Sequence, residues 1–145
     1  MRNIKILIIY ALLVVICGFN QNSHKKTKIF DERFVGLWSG AEKDEQIKGV
    51  QKNWKITRLK DGIYTIDFIT KYFDDENNFI YEDKSSETGN WWIIDSLYYE
   101  KSKLSKKPDI YTFEVVDENH ILFKAKKLNT KSENTNYSFI DTRVQ

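Results

Sequence analysis

The chain has 145 residues and a mass of 17.3 kDa, the size of a single domain. Its 23 Lys and Arg stand against 21 Asp and Glu, and a formal charge of +2 excludes a strongly basic nucleic-acid binder and a disordered acidic tail. One Cys excludes an intramolecular disulfide framework and a cysteine-rich metal site, while 14% aromatic residues and a single Pro point to a packed domain.

Met1-Arg2-Asn3-Ile4-Lys5 opens the chain, and Ile6 to Ile16 follows without a charge. Two positives before an apolar run of this length match the n-region and h-region of a secretory signal, so the protein is expected to be exported. A spanning helix needs about 20 apolar residues. Ile6 to Phe19 supplies 14 before Lys25, Lys26 and Lys28, which leaves an uncleaved N-terminal anchor as the second reading. Cys17 ends the run. In Leu13-Val14-Val15-Ile16-Cys17-Gly18 a branched apolar residue stands three before the cysteine, and the segment resembles a bacterial lipoprotein signal. It departs from that pattern at Ile16, where the motif carries Gly, Ala or Ser. The resemblance implies diacylglycerol on the Cys17 thiol, and several acyl chains at about 0.8 kcal/mol per buried methylene anchor a protein stably. The alternative is a plain signal cut near Gly18, with Cys17 discarded.

Residues 1–17 are thus the signal, 18–32 a polar, basic tether without periodicity that includes a solvated His24, and 33–145 the domain. Arg2 and Lys5 are the only charged side chains before residue 24. Residues 17–145 therefore carry 21 basic and 21 acidic side chains, and the positive surplus belongs to the signal.

From Phe34 onward the dominant pattern is alternation at period two. Gly36 to Ala41 reads as a first strand and Trp54 to Leu59 as a second, with Trp54, Ile56 and Arg58 on one face. Lys60-Asp61-Gly62 is a hairpin turn. Tyr64, Ile66 and Phe68 then alternate with Thr65 and Asp67 to about Tyr72, and Asp74 to Asn78 turns the chain again. Phe79 to Asp83 resumes a strand, Thr88-Gly89-Asn90 reads as another turn, and Trp91 to Ile94 with Leu97 to Glu100 forms one long strand or two short ones. Lys101 to Pro108 is a basic loop. Ile110 to Val116, Ile121 to Ala125 and Asn136 to Val144 complete the series, with a polar loop at Asn129 to Thr135. Eight to ten consecutive strands with short turns predict an all-β antiparallel fold, most economically an up-and-down barrel, with a two-sheet sandwich as the rival.

Phe34-Val35-Gly36-Leu37-Trp38, placed on a first strand, resembles the Gly-x-Trp opening of the lipocalin and fatty-acid-binding (calycin) superfamily, as does the meander that follows. The resemblance covers residues 34–144 in architecture, and Gly36, Trp38 and Arg143 carry its motif. It implies that Arg143, near the end of the last strand, packs on the Trp38 indole and closes the barrel base. The Thr-Asp-Tyr signature of many lipocalins is absent, as are their disulfides. What the resemblance implies is a short exported bacterial lipocalin-like protein that binds a small apolar or amphipathic ligand.

Arg58 shares its face with Trp54 and Ile56. Glu100 is in phase with Tyr98 and, across an unbroken strand, with Trp92. An arginine and a carboxylate among aromatics could orient an amphipathic ligand, with Arg58 gripping an acid group. The candidate ligand-binding residues are Trp54, Arg58, Tyr64, Trp92, Tyr98, Glu100, Tyr111 and Phe113. The structural alternative pairs Arg58 with Glu100 or Asp67, since a buried charge demands a partner. Trp91-Trp92 places one indole on each face of its strand, the outer one covered by the tether or a loop, or else exposed as a partner surface. No enzyme chemistry is expected: His120 sits alone in a turn beside Glu118, and no Gly-rich phosphate loop or Gly-x-Ser-x-Gly occurs. No cofactor and no metal are expected, Asp74, Asp75 and Glu76 reading as a solvated loop. The expected partners are a membrane reached through the N-terminal lipid and a small ligand, with no nucleic acid, and the domain is expected to be a monomer in the cell envelope. An envelope interaction or inhibitor module on the same scaffold, marked by an outward Trp91 patch, is the alternative.

Overall fold

The computed structural model describes residues 26–42, 47–129 and 136–145. The signal, Cys17 and His24 lie outside the described residues. Eight strands occur among them: β1 (Gly36–Ala41), β2 (Val50–Arg58), β3 (Ile63–Phe73), β4 (Phe79–Ile94), β5 (Leu97–Ser102), β6 (Asp109–Val115), β7 (His120–Lys127) and β8 (Ser138–Arg143). Each pairs antiparallel with the next, and β1 pairs with β8 through Trp38↔Arg143, Ser39↔Thr142 and Gly40↔Asp141. The sheet is therefore a closed up-and-down barrel, compatible with a lipocalin-like or calycin-like fold, and not a sandwich. Closure pairs the edges that a meander would leave free.

Three local readings change. Thr88-Gly89-Asn90 is not a turn but lies within β4, a strand of 16 residues. A Cβ at Gly89 would strike the Lys101 carbonyl and the Tyr64 ring, so the glycine serves close packing inside a strand. The chain instead reverses at Asp95-Ser96, both with positive φ (50° and 61°), which makes two strands of Trp91 to Glu100. That break resets the alternation: Trp91 points inward and is fully buried, while Trp92 faces outward against Tyr99 and under the Lys28 ammonium. Phe34, finally, is not in the first strand. It sits in a 3-10 turn, Glu32–Phe34, capped by the Asp31 side chain.

That turn closes one end. Phe34 stacks on Tyr98 (centroids 5.6 Å apart) and on Trp91 (6.0 Å), and meets Phe113 edge-on at 4.9 Å. The Trp38 Nε1 donates to the Phe34 carbonyl at 2.9 Å, and the Arg143 guanidinium lies 4.1 Å from the Trp38 ring. Arg143 also donates to the Val35, Arg33 and Glu118 carbonyls, binding the turn to the last strand. Gly36 makes room for it: its φ of +124° suits glycine, and a Cβ there would lie 2.8 Å from Arg143 Nη1. The described end of the tether joins the same end, where Ile29 pairs with Ile93 beyond the reach of β3, Phe30 packs on Trp91 and Lys26 pairs with Asp95.

Candidate functional site: a charged floor in a half-filled barrel

The lower half of the barrel is solid. Phe34, Trp38, Trp91, Tyr98, Ile121 and Phe123 are buried to 1% exposure or less and fill it from the closed end upward. Above them lies a cavity of about 470 Å³ that opens toward the other end, where β3 passes into β4 and β5 into β6. Trp54, Phe68, Tyr111, Tyr137 and Phe139 give it aromatic walls. A second, outer depression between Gly40, Lys55, Ile69 and Ile140 contains no buried charge.

The floor is a network built from three strands. Arg58 of β2, 2% exposed, donates from Nε to the Tyr98 hydroxyl at 2.8 Å and from Nη2 to Asp141 Oδ2 at 2.7 Å. Tyr98 of β5 passes its own proton toward Glu100 Oε2 at 2.7 Å, and that carboxylate stands 4.0 Å from Arg58 Nη2. Asp141 of β8 is fully buried, and its second oxygen accepts from Trp54 Nε1 at 2.9 Å. Gly40, opposite Trp54 in register, permits that bond, because a Cβ there would collide with the indole. Above the floor, Tyr64 donates to Glu87 at 2.8 Å and the Asn129 backbone N–H to Asp109 at 2.6 Å. Arg58 Nη1 is buried without a hydrogen-bond partner, the one such side-chain atom among the described residues.

Of the residues nominated from sequence, Trp54, Arg58, Glu100 and Tyr111 line the cavity. Tyr64, Tyr98 and Phe113 face inward in the packed half, Tyr98 supporting the floor from beneath. Trp92 is outside, for the reason given by the β4–β5 turn. Arg58 pairs chiefly with Asp141, which the alternation from Phe139 through Asp141 to Arg143 could have nominated; Asp67 lies on the outer surface, bonded to Ser86. The cavity residues Glu42, Lys52, Glu87 and Asp109 were not distinguished by sequence from solvated strand and loop charges. His120 is not in a turn but opens β7, with Nδ1 2.9 Å from Asp117. No group of three or more potential metal ligands occurs among the described residues.

The charges perturb one another. Burial opposes the Arg58 charge, but Tyr98, Asp141 and Glu100 outweigh it and keep the guanidinium ionised. Burial pushes Glu100 up, against the pull of Arg58 and of the Tyr98 hydroxyl, so its carboxyl titrates at about 7 instead of the usual 4.5. The folded protein thus holds that proton more tightly than the unfolded chain does. Its contribution to stability is complete below about pH 4.5 and is lost as pH rises through about 7. Chemical denaturation across that window is expected to show a decline of at most about 3 kcal/mol, flattened in Glu100→Gln.

The chain matches no protein-family model, and no curated protein is significantly similar to it.

Proposed function

We propose that this protein is an exported, lipid-anchored binding protein whose barrel holds one small amphipathic molecule. The observation that carries the reading is the division of the interior, solid below the Arg58 floor and open above it over about 470 Å³. Barrels of eight strands are wide enough for side chains or one small ligand, and ligand pockets span about 300–1,000 Å³. Aromatic walls suit an apolar body, and the floor suits a polar end. Binding is the role this arrangement supports, since the carboxylates of Glu100, Glu87 and Asp109 are fixed by donors from Tyr98, Tyr64 and Asn129. With Cys17 lipidated, the tether would lead from the membrane to the closed end, and the mouth would open away from the bilayer.

An interaction module is the second reading. Its expected mark, an outward Trp91, does not occur, because Trp91 is fully buried. What favours it instead is the β3–β4 ribbon beyond the barrel wall, where Phe79, Ile80 and Tyr81 are each more than half exposed. Native mass spectrometry of the protein purified from its cells distinguishes the two. A bound small molecule, lost on denaturation, is expected from the first reading; a ligand-free protein that takes up nothing from a lipid extract would contradict it.

A further inference from the structure

We infer that the ligand of this cavity is an organic cation: an ammonium group on an apolar body, with a hydrogen-bond acceptor beside it. The inference rests on the reading of the interior as a ligand site and names the chemical class that site selects. Arg58 does not make the cavity attractive to an acid, because Asp141 already matches its charge at 2.7 Å. With that pair set aside, the described walls carry Glu87, Glu100 and Asp109 against Lys52. Glu100, Glu87 and Asp109 accept from neutral donors, two phenols and a backbone amide, which fix the oxygens in place, and Glu100 has Arg58, already paired with Asp141, no nearer than 4.0 Å. A cation entering from the mouth meets this negative potential in a partly desolvated space, where it is screened far less than in water. The faces of Trp54, Phe68, Tyr111 and Phe139 add attraction for an ammonium and contact for the apolar body.

The acceptor follows from a separate observation. Arg58 lines the cavity floor and its Nη1 is buried with no partner, and such a donor seeks an oxygen. A hydroxyl, ether or carbonyl oxygen a few bonds from the ammonium would occupy that position while the cation faces Glu100. A carboxylate there would meet Asp141 and Glu100 as well as the arginine.

Tryptophan fluorescence titrations of the full chain with three probes of one chain length test this. Decanoylcholine carries a fixed cation and an ester carbonyl, decanoate an anion, and 1-decanol neither. Under mildly alkaline conditions, with the carboxylates ionised, decanoylcholine is expected to bind about tenfold more tightly than decanol, and decanoate more weakly than decanol. The ratio of decanoylcholine to decanol affinity is expected to fall severalfold in Glu100→Gln and in Glu87→Gln, the second variant lying higher on the wall in case the first disturbs the floor. Equal binding of the three probes, tighter binding of decanoate, or an unchanged ratio in both variants would overturn the cation and leave the ligand site standing. Failure of all three probes to bind would overturn both.

Discussion

Asp141→Ala is expected to lose about 3–5 kcal/mol of folding stability, because it strands the Arg58 guanidinium in the barrel interior. Arg58 is 2% exposed and Asp141 fully buried, so water cannot replace the missing carboxylate without opening the wall. Trp54 Nε1 loses its acceptor in the same step, adding a second unpaired buried donor. Asp141→Asn keeps an oxygen for Trp54 while removing the charge, and is expected to fall between Ala and wild type. The double variant Arg58→Met, Asp141→Leu removes both charges together and is expected to recover most of the loss, since buried ion pairs exchange for apolar pairs at little net change. Urea denaturation with an unchanged slope gives the comparison directly. A double variant no better than Asp141→Ala would show that the pair supplies more than mutual neutralisation.

Phe34→Ala is expected to destabilise the fold by about 3–5 kcal/mol, as is usual for deleting a buried aromatic ring. The ring is wholly buried and touches Trp91, Tyr98, Phe113 and Phe123, so its removal leaves a void where four strands converge. The consequence reaches the floor, because Tyr98 lies between Phe34 and Arg58. Phe34→Leu refills much of the volume and is expected to lose less than half as much. Thermal denaturation followed by near-ultraviolet circular dichroism reports both the stability and the packing of Trp38 and Trp91. A Phe34→Ala protein as stable as wild type would mean that the 3-10 turn covers the base without supporting it.

Period-two alternation carried most of the fold. Strands β1, β2, β3, β6, β7 and β8 lie close to where the pattern put them, and the Gly36, Trp38 and Arg143 motif marked the closed end. The alternation misleads where the phase resets. Asp95 and Ser96 are not glycines, yet both take positive φ in a two-residue turn, and this reversal sends Trp91 inward and Trp92 outward. Gly89 misleads in the other direction, looking like a turn residue while serving the approach of Tyr64 and the Lys101 carbonyl.

Within the site, Arg58 and Glu100 were legible because each shares a face with large aromatics. Asp141 shares its face with Phe139 in the same way, but its pairing with Arg58 is not legible until closure brings β8 beside β1 and across from Arg58. The four cavity charges beyond the floor depend on the same three-dimensional fact. Only the closed barrel decides which ends of β2, β4 and β6 overlook a common space.

Titration with the neutral fluorescent probe N-phenyl-1-naphthylamine shows whether the upper barrel is a ligand site and not a core awaiting collapse. Titrated into the full chain, the probe is expected to give a saturable emission increase at one site per molecule. Thr70→Trp, which places an indole from a buried position on the cavity wall into the open space, is expected to abolish that signal while leaving the melting temperature within a few degrees of wild type. Saturable binding that survives unchanged in Thr70→Trp, or no saturable binding to the wild type, would contradict a ligand site there.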